Sequence, residues 1–318
     1  MPTSSSALQS HIESLLERDP PRAKSLCVTL LGDALLPHGG SIWLGDLIEL
    51  MRPLGINERL LRTSAFRLTA EGWLRSERDG RRSRYALSDQ GLRWTEHASQ
   101  RIYDGPSPDW DGTWTLVVLP RTAGNGLAER TELRRQLAWE GFGALAPGVY
   151  AHPQVRASTA HAILDRLGIP DKALVLSARD LADAGGLPIA ALVAQCWNLE
   201  ELAGQYRSFI ADYGPLEKSL RARPAPQLAF ATRALLLHRW RRIVLHDPQL
   251  PPALLPADWP GLAARRLCAR LYWMAFAAAE EHLNAVAGRD NDRYRPLSPQ
   301  AYRRFGGAPP EVMAAQAA

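Results

Sequence analysis

The feature that most constrains this fold is a capped helix with a hairpin immediately after it, within residues 57–87. Asn57 is a good N-cap, Glu58 lies at the positive end of the helix dipole, and Gly72 is a typical C-terminal stop. The sequence therefore predicts a helix over 58–71.

The hairpin signal is an Asp-Gly pair between two strand-like runs, residues 73–78 and 81–87. Asp-Gly supplies the left-handed backbone that a tight β-turn requires. Two more helices, over 25–36 and 43–52, are predicted before the capped helix. This succession predicts a winged helix-turn-helix domain over residues 1–91.

The two faces of the capped helix differ in chemistry. At 100° per residue, one side should pack against the domain and holds Leu60, Leu61, Ser64, Ala65 and Leu68. The other side should be exposed and holds Arg59, Arg62, Thr63, Phe66 and Arg67. Arginine can bridge guanine O6 and N7, and Thr or Phe can contact a thymine methyl, so this face suits the major groove. The alternative for Phe66 is a ring folded down onto the protein.

The distribution of charge along the chain also indicates a nucleic-acid-binding surface. Residues 52–93 contain ten arginines and five acidic residues, an excess that equals the net charge of +5 of the whole chain. Such a local basic field is typical of a polyanion binder, and the alternative is a solvated surface rich in arginine. The predicted hairpin should reach phosphates or a minor groove with Arg78, Arg81, Arg82 and Arg84. With Asn57 at the start of the helix, these residues complete the predicted DNA-binding set.

Residues 32–91, including RTSAFRLTAEGWLRSERDGRRSRYALSDQG, closely resemble the N-terminal domain of the PaaX family. The likeness continues over 101–120 (RIYDGPSPDWDGTWTLVVLP) and 235–267. The resemblance implies a homodimeric repressor of phenylacetic acid catabolism that binds a double-stranded DNA operator. It also implies an effector, since members of this family are released from DNA by phenylacetyl-coenzyme A rather than by the free acid.

The middle of the chain reads as a linker helix, 92–108, followed by a domain over 109–186. Its order of predicted elements is βαββαβ, a ferredoxin-like unit. By the family resemblance this region looks like small CRISPR-associated endoribonucleases, which place a metal-binding aspartate at the end of the first strand. Here that strand ends Leu119-Pro120-Arg121, so nuclease chemistry and a metal site are not expected.

Residues 187–287 read as a helical domain and 288–318 as a flexible tail, which gives an α+β protein of three domains. The helical domain offers both an apolar slot for an aryl ring and cations for coenzyme A phosphates. The candidate ligand-binding residues are His238, Trp240, Arg241, Arg242 and Trp273. Their alternative reading is structural, since tryptophans usually lie in cores and helical arginines usually lie on surfaces.

Other classes of function find little support. Gly141-Phe-Gly143-Ala-Leu-Ala146 mimics a dinucleotide fingerprint but follows a predicted helix instead of a strand, which favours a tight turn and no bound cofactor. An enzyme, either a metal-dependent nuclease or an acyl-CoA-acting enzyme built on the ferredoxin-like domain, remains the alternative. An architectural DNA-binding protein without a ligand is a third reading, which the 200 residues after the linker make excessive.

Cysteine spacing and the distribution of apolar residues indicate the cellular compartment. The three cysteines are scattered, which indicates neither a zinc site nor a disulfide framework. No run of 18 apolar residues exists, and the N-terminal segment has acidic residues where a signal peptide needs an apolar core. We therefore expect a cytoplasmic protein with no membrane partner.

Overall fold

The computed structural model describes residues 4–106, 109–120, 126–179, 186 and 188–317. In chain order its α-helices are α1 (Ser4–Arg18), α2 (Ala23–Leu30), α3 (Leu44–Met51), α4 (Glu58–Ala70), α5 (Asp89–Ser99), α6 (Leu127–Trp139), α7 (Ala157–Arg166), α8 (Ile189–Cys196), α9 (Leu199–Tyr213), α10 (Leu216–Leu220), α11 (Pro226–Val244), α12 (Gly261–Ala287) and α13 (Pro310–Ala317). Its strands are β1 (Ser41–Trp43), β2 (Leu74–Asp79), β3 (Arg82–Leu87), β4 (Thr113–Val118), β5 (Gly143–Ala146), β6 (Val149–His152) and β7 (Leu174–Arg179).

Contacts divide the chain into two compact units. The first contains residues up to Asp104, Arg207–Arg242 and everything from Gly261 onward, and the second contains Gly105–Tyr206 and Ile243–Pro260. The predicted boundaries differ, because much of the segment assigned to a separate helical domain packs with the N-terminal hundred residues.

The first unit carries a three-stranded antiparallel sheet in the order β1-β3-β2. Asp79 pairs with Arg82, so Gly80 and Arg81 form a two-residue turn, and Gly80 adopts the left-handed φ of 55° that such a turn requires. The hairpin therefore forms where the Asp-Gly signal predicts it.

Two helices of this unit have boundaries that differ from the predicted ones. The helix predicted over 25–36 stops at Leu30 and continues as a π-helical turn, Leu31–Leu35. The linker helix predicted from residue 92 begins at Asp89, because Ser88 caps it by accepting a hydrogen bond from the Gly91 amide at 2.9 Å. It also ends in a π-helical turn, Gln100–Asp104.

The chain ends are more ordered than the sequence suggested. Helix α1, for which no element was predicted, buries Leu8 and Ile12. The segment expected as a flexible tail contains a 3-10 helix, Pro299–Gly306, and helix α13. Arg304 of this segment donates to the buried Asp33 carboxylate at 2.9 Å, a contact that fixes the segment on the first unit.

The second unit is built on a four-stranded antiparallel sheet in the order β5-β6-β4-β7. With α6 and α7 this gives the predicted βαββαβ order and a ferredoxin-like strand arrangement. One apolar cluster includes Val117, Leu133 and Ile163. Another includes Trp114 and Trp197, so alternate residues of β4 contribute to different clusters, as expected for a strand buried on both faces.

The Gly141-Phe-Gly143 run is explained by packing. Gly141 has a φ of 92°, and a Cβ atom there would lie 2.9 Å from the Pro248 carbonyl oxygen. A Cβ atom on Gly143 would lie 2.6 Å from the Trp197 ring, whose Nε1 donates to the Gly141 carbonyl at 2.9 Å. Gly141 therefore serves a tight turn against Pro248, and Gly143, at the start of β5, leaves room for the Trp197 ring.

Candidate nucleic-acid interface

Helix α4 is held on the first unit by one buried face. Leu61, Ser64, Ala65 and Leu68 are buried. Asn57 caps the helix as predicted, since its Oδ1 accepts a hydrogen bond from the Leu60 amide at 2.9 Å. The 100° periodicity predicted that the Leu60 side chain lies on the packing face. It is instead 44% exposed, because it lies at the edge of the buried stripe.

The opposite face of α4 is exposed along its length. Arg59, Arg62, Thr63 and Arg67 are all exposed. The Phe66 ring is 73% exposed, so it does not fold onto the protein. The ring is therefore available, together with the arginines beside it, to contact another molecule.

Two side chains on this face already have partners within the helix. The Arg62 guanidinium lies 2.6 Å from the Glu58 carboxylate one turn earlier, and the Thr63 hydroxyl donates to the Arg59 carbonyl at 2.9 Å. A surface pair of this spacing is weak, so Arg62 can exchange Glu58 for an acceptor on a ligand at little cost.

The hairpin presents some of its arginines and buries another. Arg78, Arg81 and Arg82 are exposed, and the guanidinium carbon of Arg82 lies 4.3 Å from the centre of the Trp43 ring. Arg84 is only 7% exposed; its guanidinium lies 4.0 Å from the same ring centre and 2.6 Å from the Asp292 carboxylate.

The prediction that Arg84 reaches DNA is therefore wrong for this structure, for a reason that lies in strand geometry. Side chains two residues apart share one face of a strand, and Ala86, two residues after Arg84, is buried. Residues nearer the tip escape this burial because the strand extends beyond the neighbouring β1, which pairs with β3 only as far as Arg84.

A short segment after α12 contacts the same sheet. The Trp43 Nε1 donates to the Asp290 carbonyl at 3.1 Å, and the side-chain Nδ2 of Asn291 donates to the Ser41 carbonyl at 3.2 Å. Arg293 makes a bidentate ion pair with Glu77 of β2, with N–O distances of 2.6 and 2.9 Å. The hairpin is thus attached to the C-terminal part of the first unit.

The predicted ligand-binding residues of α11 and α12 are not gathered into a pocket. Trp240, Trp273 and His238 are buried. The Trp240 Nε1 donates to the Ile102 carbonyl at 3.0 Å, and Arg242 pairs with Asp19 at 2.7 Å. These contacts favour their structural reading.

His238 and Arg241 are likewise used inside the protein. The His238 ring lies 3.2 Å from the Thr29 hydroxyl, to which Arg241 donates at 2.9 Å. Burial, together with the neighbouring Arg241 and Arg242, lowers the pKa of His238 to about 3. The imidazole is therefore neutral at physiological pH and supplies no cation for a phosphate.

The largest feature that sequence reasoning missed is a buried ionic cluster. Asp33 accepts hydrogen bonds from Arg233 at 3.0 Å and from the Tyr103 and Tyr272 hydroxyls at 2.7 and 3.0 Å. Burial opposes ionisation of Asp33, but Arg233 and Arg304 with the two hydroxyls outweigh it and lower its pKa. The available signal was a lone charge inside an apolar helix, as in Ala229-Phe-Ala-Thr-Arg233-Ala-Leu.

Glu280 extends the cluster to the start of the sheet. Its carboxylate lies 2.5 Å from the Arg233 guanidinium and 2.7 Å from His38 Nε2. Burial raises the pKa of Glu280, but Arg233 and His38 more than offset this and leave it below its usual value. His38 Nδ1 faces the Arg295 carbonyl at 2.8 Å, so the cluster also contacts the segment after α12.

Within the described residues, no group of three or more His, Cys, Asp or Glu side chains could hold a metal ion. Leu119 and Pro120 follow β4, and Arg121, the third residue of the expected strand end, lies outside the described part of the chain. A search of the same residues for a helix long and apolar enough to cross a membrane found none.

Comparison with known proteins identifies the family. The model of PaaX-like protein matches residues 22–91, that of the PaaX protein central Cas2-like domain matches 107–187, and that of the PaaX-like protein C-terminal domain matches 197–285. The chain belongs to the PaaX family. Over 307 residues, 95% of this chain and 96% of its relative, it is 38% identical to Transcriptional repressor PaaX of Escherichia coli strain K12.

Among solved structures, this family member is similar to Uncharacterized protein Rv0674 from Mycobacterium tuberculosis. The sequences are 26% identical, the TM-score is 0.49, and the match covers 76% of this chain and 90% of the other. The family assignment confirms the resemblance noted from the sequence. The Cas2-like match falls on the ferredoxin-like sheet of the second unit.

Proposed function

We propose that this PaaX family member is a transcriptional repressor of an aromatic-acid catabolic operon, that of phenylacetate, and not an enzyme. Its N-terminal part acts as a winged helix-turn-helix that binds a double-stranded DNA operator. The 38% identical relative is a transcriptional repressor, which supports the regulatory role. The observation that carries the DNA-binding part is the exposed arginine-rich face of α4 beside the exposed arginines of the hairpin.

In this proposal α4 is the recognition helix. Its first residues, from Asn57, point their amides at the phosphate backbone, while Arg62 and Arg67 meet base edges in the major groove. Thr63 and Phe66 offer apolar contact to thymine methyls. The wing adds sequence-independent phosphate contacts through Arg78, Arg81 and Arg82, and Arg84 has the separate task of anchoring the wing to Asp292.

The test begins by selecting bound duplexes from a random library with the wild-type protein. Fluorescence anisotropy then compares wild type with Arg62→Ala, Arg67→Ala and a control, Arg266→Ala, which removes an exposed arginine of α12. One lost bidentate contact, worth ~1–3 kcal/mol, should weaken binding of the selected duplex by about 5- to 150-fold. If both α4 variants bind like the control, the exposed face of α4 does not read the operator.

The proposed effector is an aryl-CoA thioester, such as phenylacetyl-CoA, that releases the repressor from DNA. An inducer must bind the DNA-free form more tightly, and linkage requires that DNA weaken its binding by the same factor. Calorimetry with phenylacetyl-CoA, free coenzyme A and phenylacetate should show tight binding by the thioester alone. Equal binding by free phenylacetate would mean that the coenzyme A part is not recognised.

A further inference from the structure

A cleft of about 490 Å³ opens within the first unit, and none of its lining residues is among those proposed to contact DNA. It lies among α5, the two π-helical turns and the segment after α12. The less exposed lining residues include Gly32, Leu36 and Tyr103, and the exposed ones include Gln100 and Arg303. The cleft thus has an apolar floor and a polar rim, the usual division of a small-molecule site.

The cleft adjoins a small internal void of about 30 Å³, with which it shares Gly32, Ser99 and Tyr103. Apolar and polar side chains both line the void, and Thr95 among them has a buried hydroxyl without a hydrogen-bond partner. A buried polar atom without a partner is costly and rare. Thr95 thus leaves one unsatisfied polar group beside the part of the protein that the cleft and the void share.

The backbone around the cleft departs from regular helix on both sides. Leu31–Leu35 and Gln100–Asp104 are π-helical turns, a distortion that is frequent at functional sites. A Cβ atom on Gly32 would lie 2.9 Å from the Thr95 side chain, so only glycine lets the two elements approach this closely without a shift. The glycine also leaves the floor of the cleft without a side chain.

The lining selects for an amphipathic ligand. Ser298, Gln300 and Gln100 offer hydrogen bonds to a neutral amide-bearing chain, and Arg303 offers an exposed guanidinium. Glu96 and Asp104 also line the cleft and disfavour a compact group of several negative charges inside it. An acyl or aryl thioester fits this pattern, with its apolar end on the floor, its amide arm along the glutamines and its anionic end outside at Arg303.

One segment, residues 290–304, lines this cleft and also attaches the hairpin. Its later residues, Ser298 to Arg304, line the cleft, and its earlier residues, Asp290 to Arg293, contact β1, β2 and β3. Between them, the Arg295 and Ser298 amides donate to the carbonyls of His38 and Pro37, each at 2.9 Å. The cleft and the hairpin are therefore joined by one short, hydrogen-bonded stretch of chain.

The residue directly after this segment, Phe305, is held in an uncommon conformation. Phe305 has a φ of 54°, in the left-handed region that bulky residues rarely adopt. Its ring is fixed against Tyr103 and Tyr272, with centroids 5.2 and 5.3 Å apart. Because Tyr103 also lines the cleft, a ligand that moves this ring removes the contact that holds Phe305.

We infer that this cleft is the effector site and that the 290–304 segment links it to the DNA-binding hairpin. The inference rests on the proposed function and adds the location of the site, the class of ligand group at each part of it, and the route to the hairpin. It assigns the effector to Arg303, Gln100 and the floor around Tyr103 in place of the buried residues of α11.

The location is tested by titrating phenylacetyl-CoA into the wild-type protein, Gln100→Trp, Arg303→Glu and the control Arg266→Glu. The first two variants should bind the thioester at least tenfold more weakly, since one fills the rim and the other reverses its cation, while the control should stay within twofold of wild type. Wild-type affinity in both rim variants would overturn the cleft and leave the thioester effector standing. No binding by the wild-type protein would overturn both.

The link is tested by Arg293→Ala, with Arg289→Ala as the control because Arg289 is exposed and pairs with Glu49 rather than with the hairpin. The measured quantity is the ratio of operator Kd with saturating phenylacetyl-CoA to operator Kd without it. Arg293→Ala should bind the thioester within twofold of wild type yet reduce this ratio at least threefold, and the control should not reduce it. An unreduced ratio in Arg293→Ala would overturn the link.

Discussion

Replacing Arg233 by methionine removes the centre of the buried ionic cluster while keeping a similar apolar stem. The guanidinium lies 3.0 Å from Asp33 and 2.5 Å from Glu280, and its side chain is 3% exposed. Without it, two buried carboxylates lose their main neutralising partner. Breaking a buried pair in this way costs about 3–5 kcal/mol of unfolding free energy, because the remaining charge stays desolvated.

The assay is urea unfolding of the full chain at pH 7, followed by circular dichroism. Arg266→Met is the control, since a substitution at an exposed position is usually within about 0.5 kcal/mol of wild type. A loss of less than about 1 kcal/mol in Arg233→Met would refute the view that Arg233 stabilises the unit through these carboxylates.

A double variant sharpens this test. If Arg233 and Asp33 belong to one network, Arg233→Met combined with Asp33→Asn should cost less than the sum of the single losses, by about 0.5–3 kcal/mol. The pKa of Asp33 and that of Glu280 both lie below their usual values, so the unfolded state takes up protons first as pH falls. The wild type should therefore lose stability below about pH 4, and Arg233→Met should show a shallower loss.

Three further outcomes are expected. Arg81→Ala should lower the slope of log affinity for DNA against log salt concentration by about one, whereas Arg84→Ala should leave it unchanged, as measured by anisotropy between low and moderate salt. His238→Gln should remove a loss of stability of about 2 kcal/mol between pH 7 and pH 5, because the unfolded histidine takes up a proton near pH 6.5 and the folded one does not. Light scattering should give a dimer, free and on DNA, since a two-fold operator needs two reading helices. A monomer of 35.1 kDa in both conditions would contradict this.

The parts of the fold that the sequence predicts well are those set by local chemistry. Asn57 as a cap, the hairpin turn after Asp79 and the βαββαβ order of the middle domain all depend on neighbours along the chain. The burial of Arg84 depends instead on Asp292, more than 200 residues away, and on the length of β1. No periodicity within residues 81–87 contains that information.

The same distinction explains why the ligand prediction chose buried residues. A run of His, Trp and Arg on α11 has the chemistry of an aryl-CoA site, but burial decides whether that chemistry is available. Trp240 and His238 instead pack α11 against the other elements of the first unit. The cleft is formed by groups that carry no joint signal in the sequence. Gly32, Gln100 and Arg303 come together only because the C-terminal segment folds back over the π-helical turns.

That return of the chain has a consequence for how DNA binding can be regulated. A hairpin attached only by its own strands would be free to adjust to any duplex, whereas this one is tied by the Arg293–Glu77 and Asp292–Arg84 pairs to residues after α12. Both pairs have an exposed partner, so each is weak enough to be broken by a modest change in the segment. Because several weak contacts act through one stretch of chain, releasing its far end loosens them together, which gives a small ligand a way to alter the position of the hairpin.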